Sequence, residues 1–517
     1  MASPLQPLAD YLEMDLPGLR LLLSFISGYA LAFAYRQFVR GSRATVQHLY
    51  FMVSGMSLVV FNYGVDLFHS LFCILSFYGT LLVLGPTLVT AVITFAFQTS
   101  YLLIGYYFTE TETYDIKWTM PHCVLTLRLI AVAFDVYDGH RPPKELSKEQ
   151  QRLCISDRMS LLELLAHCYY PTAVLVGPQF SLRHYRNYIS GDLYKSDFNP
   201  ATTGATLPVD FETAATKSPE IPPTTRSAMA KFGVGFCYIV FYQYGRQQLP
   251  YEYIFGPEFK DLNFFWKVSM IFCWGKVNMA KYILCWLLQE GASIVMGIGY
   301  SGTDKDGHHT WKAFRNIDFW GFETASEYTD MIKVFNINTN TWVARYVYKR
   351  LRFLNNRHLS QLGALVFLAL WHGFHSGYYV IFFNEFVVVN SERAMKDVFT
   401  RNSQFVWFFS KSLFRYPWFV LKRLFLWTGL TFAVCPFLLL SYDKWFPIYC
   451  SLYFYWYILY IPGNFPIFIR WLSDIVPPDL DVEGSSVKGP SPSMSPLPQV
   501  EAAADGINGT VSHAKGD

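Results

Sequence analysis

The chain has 517 residues, of which 52% are hydrophobic, 18% aromatic and only 16% Asp, Glu, Lys or Arg. A soluble globular chain carries about 25% charged residues, so the composition excludes a soluble enzyme, a disordered protein and a disulfide-rich secreted scaffold. The formal net charge of +3 is too small to point to a nucleic-acid partner.

Residues 1–18 read as an N-terminal segment. The first apolar stretch, Leu19 to Phe38, ends among Arg36, Arg40 and Arg43, and no small-x-small cleavage site follows it. It therefore reads as a retained segment, not a removed signal peptide. Charge-free runs at 44–65, 67–109, 164–182, 358–384, 424–442 and 445–469 are the strongest candidate spans, since a bilayer crossing takes about 20 apolar residues. The 67–109 run holds two, divided at Gly85-Pro86. Weaker segments lie at 120–134, 232–245, 264–286 and 287–302, and the last two carry Lys267, Lys276, Lys281 and Glu290. Charge at mid-bilayer costs about 2.5–3.5 kcal/mol per residue, so those side chains are expected to face protein, water or an interface.

The expected fold is an all-α polytopic membrane protein with about nine to eleven helices, several of them short or re-entrant. Long continuous apolar runs, without ten-residue alternation, favour helices over a barrel. The loops at 138–158 and 192–231 are polar, and 476–517 reads as a disordered tail rich in Pro, Ser and Gly. The sequon Asn508-Gly509-Thr510 in that tail reads as unused. The nine cysteines form no CxxC pair and mostly sit in apolar stretches, where thiols behave as small hydrophobes. No internal repeat is visible, which argues against a transporter built from repeats.

Two polar clusters interrupt the apolar runs, and intramembrane polar groups are functional candidates by default. The first is Trp371-His372-Gly373-Phe374-His375-Ser376-Gly377-Tyr378-Tyr379. Read as one continuous helix, it places His375 and Ser376 one turn from His372. A neutral imidazole there is a candidate general base; a histidine that merely hydrogen-bonds across helices is the plainer alternative. The second cluster is Asn336-Ile337-Asn338-Thr339-Asn340-Thr341-Trp342, followed by Arg345 and further cations. On a helix Asn336 and Asn340 share a face, and Asn supplies both a donor and an acceptor without charge. An interfacial amphipathic segment is the alternative there. His372 and His375 form HxxH without an adjacent carboxylate in sequence, so a metal is not expected. No GxSxG, P-loop or dinucleotide fingerprint occurs.

The Asn-containing segment and Trp-His-Gly-x-x-x-Gly-Tyr together resemble the membrane-bound O-acyltransferases, and within them the lysophospholipid acyltransferases of the lysophosphatidylcholine type. The similarity spans roughly 15–475. It is carried by Tyr114–Cys123, Val176–Phe180, Phe335–Asn340 and Leu368–Gly373. The resemblance implies a catalytic membrane domain at 19–475 around an internal reaction chamber. It implies acyl transfer from acyl-CoA, a cosubstrate, to the sn-2 hydroxyl of a lysophospholipid bearing choline, ethanolamine or serine, with no bound cofactor. It places the family His on His372 and the family Asn on Asn336, with Asn338, Asn340, Trp342, Arg345, Trp371, His375, Ser376 and Tyr378 as substrate-binding candidates. Membrane lipids are implied partners, a homo-oligomer is compatible with the family, and the endoplasmic reticulum membrane is the implied location. The chain departs from the pattern in lacking a terminal dilysine-type signal. The Phe-Tyr-x-Asp-Trp-Trp-Asn signature of the sterol and diacylglycerol branch is absent. A protein-acylating relative and, in another class, a membrane transporter are the competing readings.

Overall fold

The computed structural model describes residues 3–111, 116–195, 216 and 219–479. The expectations for the 480–517 portion of the tail, for most of the 192–231 loop and for Tyr114 and Asp115 lie outside the described residues. The described chain is helical, with two isolated β-bridges, Thr303 to His309 and Ile317 to Phe335.

The first half is a set of apolar helices separated by local breakers. α1 (Leu16–Ala34) starts where the Asp15 carboxylate accepts from Gly18 N at 3.0 Å. α2 (Ala44–Tyr63) ends at Gly64. α3 (Leu67–Leu84) ends at Gly85, whose φ of 66° lies in the left-handed region, and Thr87 then caps α4 (Leu88–Thr109) through Thr90 N at 3.2 Å. The division expected at Gly85-Pro86 is thus present. Phe68, Leu82, Val83 and Phe108 on α3 and α4 are exposed apolar side chains, which is the surface a bilayer requires.

α5 (Thr119–Gly139) occupies the centre: 83% of its apolar stretch is buried, against 17% for 44–84. Burial forces its polar residues to find partners. Arg128 donates to the carbonyls of His167, Cys168, Ala173 and Pro178 at 2.9–3.3 Å. Those carbonyls belong to the run at 164–182, which is not a span. It is a short helix, α6 (Leu161–Cys168), followed by turns that α5 holds in place.

The second half is organised by α7 (Thr225–Gln248) and the 33-residue α8 (Phe264–Met296), which packs on α7, α1 and the later helix Ser412–Leu439. The two weak segments at 264–286 and 287–302 are therefore largely one helix. Two of its charges meet protein partners: Lys276 meets Glu323 at 2.8 Å and Glu290 meets Lys231 at 2.9 Å. α9 (Tyr328–Val334) and α10 (Ile337–Val343) are short. α11 (Arg357–His372), α12 (Ser376–Thr400) and α13 (Ser412–Leu439) follow. The run at 445–469 is also not a single span; it breaks into α14 (Tyr442–Ser451), α15 (Tyr455–Tyr460) and the start of α16 (Pro466–Ile475). Pro462 and Pro466 stand at the last of these breaks, where proline favours a first turn over a helix interior.

Among the described residues, five helical stretches are by length and composition apolar enough to cross a membrane, with Leu359–His372 a shorter one. α7, α8 and α12 are long enough as well but carry charges. The chain is a multi-pass membrane protein.

Candidate active site

The first cluster lies at a helix break. α11 begins with Asn356 accepting from Leu359 N at 3.1 Å and ends at His372. Gly373 adopts φ 124°, a conformation that L side chains rarely take, and α12 starts only at Ser376. The continuous helix expected through 358–384 is therefore absent. His375 and Ser376 are not one helical turn along from His372; they open the next helix. Gly377 N donates to Leu440 O at 2.8 Å, which docks that opening turn on the end of α13.

Two neighbours fix the backbone at His372. The Trp371 indole donates to Cys123 O on α5 at 2.9 Å, and Trp371 O accepts from Tyr106 of α4 at 3.0 Å. The His372 ring is half-buried among Phe437, Tyr378 and Phe382, at centroid distances of 5.2, 5.4 and 5.6 Å. Neither ring nitrogen is hydrogen-bonded to another described residue. Ser376 Oγ accepts from the Trp445 indole at 3.0 Å.

Glu110 is a residue that sequence reasoning missed. Its Oε1 lies 3.1 Å from His375 Nε2 and accepts from Phe374 N at 3.3 Å. Glu110 is the first charge after the 67–109 run, and that position was the available signal. It borders an open cavity of about 520 Å³ lined by Tyr107, Glu110, Thr111, Phe374 and His375. Gly373 touches the same carboxylate: a Cβ there would stand 2.9 Å from Oε1.

The second cluster is built differently from the expected helix face. Asn336 sits ahead of α10 with φ 51°, a left-handed conformation that Asn tolerates better than most residues. Its Oδ1 accepts from Asn316 Nδ2 at 3.2 Å, while Asn316 also receives Ile337 N and Asn338 N. Asn336 and Asn340 therefore do not share a helical face. The Asn338 amide donates to Arg315 O at 2.9 Å, and that of Asn340 to Phe335 O and Ile332 O at 3.0 and 3.2 Å. Trp342 is buried, donates to Leu127 O at 2.8 Å and stacks on Phe367. Arg345 pairs with Glu149 at 2.7 Å, with Lys349 on the other carboxylate oxygen. These four side chains hold the segment to its surroundings instead of standing free for a substrate. Burial pushes the Glu149 carboxyl up, but Arg345 and Lys349 outweigh it and hold the group below its usual range.

A chain of ring contacts links the two clusters. Phe437 beside His372 touches Tyr282, Tyr282 is near Trp286, and Trp286 lies 5.0 Å from Phe335, the residue before Asn336. Tyr282 and Trp286 are one turn apart on α8. Aromatic side chains of α8 and α13 thus connect the surroundings of the imidazole to those of the Asn336 amide.

Comparisons with known proteins identify relatives of the chain. Residues 103–439 match MBOAT, the membrane-bound O-acyltransferase family. The chain is similar to "Lysophospholipid acyltransferase 5" of Homo sapiens, 37% identical over 88% of this chain and 90% of the relative. The Drosophila melanogaster protein of the same name is 36% identical over 87% and 86%. A Schizosaccharomyces pombe "Lysophospholipid acyltransferase" is 26% identical over 73% and 72%.

Proposed function

Because the chain belongs to the membrane-bound O-acyltransferase family and is an acyltransferase, we propose that it transfers a fatty acyl group from acyl-CoA to the sn-2 hydroxyl of a lysophospholipid. The acceptors are lysophosphatidylcholine and its ethanolamine and serine counterparts, and the reaction remodels membrane phospholipids. The catalytic membrane domain is 19–475. Acyl-CoA is a cosubstrate and no bound cofactor takes part. The enzyme works in the endoplasmic reticulum membrane, where both lipid substrates are at hand.

The observation that carries this reading is the His372 ring: half-buried, walled by aromatic side chains and without a hydrogen bond to any described residue. Its lone pair is free for a substrate proton. In the proposed step the lysolipid oxygen attacks the thioester carbonyl carbon as His372 takes the hydroxyl proton. The C–S bond breaks, and the imidazolium returns the proton to the CoA thiolate. A positioned base contributes about 10²–10⁴-fold. Thiolate is a good leaving group, so no separate strong acid is needed. Asn336 orients the acceptor or donates to the developing oxyanion, which is worth about 10²–10³-fold. Trp371 and Tyr378 shape the ring's setting.

The test offers purified, reconstituted protein labelled acyl-CoA with lysophosphatidylcholine or, separately, a secreted peptide. New diacyl phospholipid is expected, with loss of about 10²-fold or more in His372→Ala. A transporter yields no product, and a protein acylase labels the peptide. Near-normal transfer by a correctly inserted His372→Ala protein removes the base assignment.

A further inference from the structure

The cavity beside Glu110 has a composition that the acyl-transfer step does not use. One wall is a carboxylate, two others are the Tyr107 and Phe374 rings, and Tyr107 is 75% and Phe374 45% exposed. Glu110 spends Oε1 on Phe374 N and His375 Nε2, and its Oε2 has no partner among the described residues. With Nε2–H donated to Oε1, His375 fixes the carboxylate's direction and leaves its negative charge on the cavity wall. Gly373 joins this wall to His372 through a single peptide link.

Carboxylate and exposed aromatic faces are the groups that attract an organic cation. A quaternary ammonium has no N–H to donate, so it is bound through ring quadrupoles and net charge. We propose that this cavity is a headgroup subsite selecting the trimethylammonium of a choline lysolipid. The inference rests on the acyl-transfer reading above and extends it to the acceptor. In that acceptor the reacting hydroxyl and the cation are separated by two glycerol carbons, a phosphodiester and the two methylene carbons of choline. With the hydroxyl at His372 the cation therefore lies several bonds away, and the wall formed by Phe374, two residues along the chain, and Glu110 is a surface on which it can rest. Aromatic rings at this position would otherwise belong to the ordinary interfacial belt; the carboxylate held between them is what a belt does not require.

The test is equilibrium binding to the full-length protein in nanodiscs, so turnover is not needed. The probes are radiolabelled 2-deoxy analogues of lysophosphatidylcholine and of lysophosphatidylglycerol, which share the phosphate and differ in the cation. The wild type is expected to prefer the choline analogue by about tenfold. Glu110→Gln keeps an acceptor for Phe374 N, and Tyr107→Leu alters an exposed ring; each should narrow that preference to within about twofold. If both analogues weaken together, Glu110 only positions the helix break and the subsite is wrong. An unchanged preference in both variants overturns it equally. Transfer is assayed on the same preparation. Absent transfer by the wild type sinks the acyl-transfer reading, whereas intact transfer with no choline preference sinks only the subsite.

Discussion

Glu392 caps the helix that begins at Tyr328, accepting from Tyr328 N at 2.7 Å with one carboxylate oxygen and from Thr329 N and Oγ1 at 2.8 and 2.6 Å with the other. The relationship ties the two halves of the site together. Glu392 lies on α12, whose first turn follows His372, while α9, the capped helix, runs through Phe335 to Asn336. One helix thus sets the position of both clusters.

This makes Glu392 a positioning residue. Glu392→Ala frees three donors and should cost about 1–2 kcal/mol, the worth of a good N-cap. It should lower kcat by about tenfold while KM for acyl-CoA moves less than about twofold. Glu392→Gln retains an acceptor and should recover part of the rate. Steady-state kinetics beside thermal unfolding in detergent check this. Equal stability loss with unchanged kcat would show that α9 does not aim Asn336.

Asn336 and Asn340 should separate cleanly. Asn336 needs a left-handed backbone, which Gly adopts without strain, so Asn336→Gly removes the amide and keeps the turn. It should lose about 10²–10³-fold in turnover, with a stability loss of about 1 kcal/mol from the unpaired Asn316 amide. Asn340→Ala instead removes a donor from Phe335 O and Ile332 O and should cost about 1–3 kcal/mol of stability. Paired melting curves and rates distinguish the two outcomes. A larger rate loss in Asn340→Ala than in Asn336→Gly, at matched stability, would move the amide role to Asn340.

Local signals carried the sequence reading where the cause of structure was local. Gly85-Pro86 ends α3 because glycine takes a positive φ there and the following Thr caps the next helix. Charge depletion found α2, α3 and α4 because lipid-facing helices must be apolar around most of their surface. The same criterion failed at 164–182, which is apolar because protein buries it; the Arg128 bonds that hold it come from α5, distant in sequence. It failed again at 358–384, where the break depends on Gly373 turning beneath Glu110. The approach of His375 to Glu110 across 265 positions has no periodic signature. His372 and Asn336 are proposed from strings that resemble a family, while the hydrogen bonds that commit Asn338, Asn340 and Trp342 to the framework required the fold.

Gly377 is expected to tolerate no side chain. A Cβ there would overlap Pro436 O and lie 2.9 Å from Leu440 O, both at the end of α13. Gly377→Ala must push α12 away from α13, and Phe437 on α13 lies 5.2 Å from both the Tyr378 and the His372 rings. Overpacking of this kind costs about 1–3 kcal/mol. Activity should fall with stability, and a Gly377→Ala protein with wild-type melting and rate would show that the α12–α13 contact is loose. This differs from Gly373→Ala, where the positive φ itself is strained.

Glu149 gives a pH dependence of defined sign. Its carboxyl is held below the usual 4.5 because Arg345 and Lys349 outweigh the burial that raises it. A carboxylate depressed on folding adds stability that is present above its unfolded value and is lost as pH falls through the lower folded value. The pair side chains are 15–29% exposed, so screening limits the contribution to about 1 kcal/mol. Glu149→Gln should therefore melt below the wild type at pH 7, and the difference should close below pH 4.5 as the wild-type carboxyl protonates. The basic segment 345–350 follows the Asn336 helix directly, so its release should also reduce turnover in the variant at neutral pH. A melting difference that grows on acidification would contradict the assignment, because it would require the folded Glu149 carboxyl to be raised above its unfolded value.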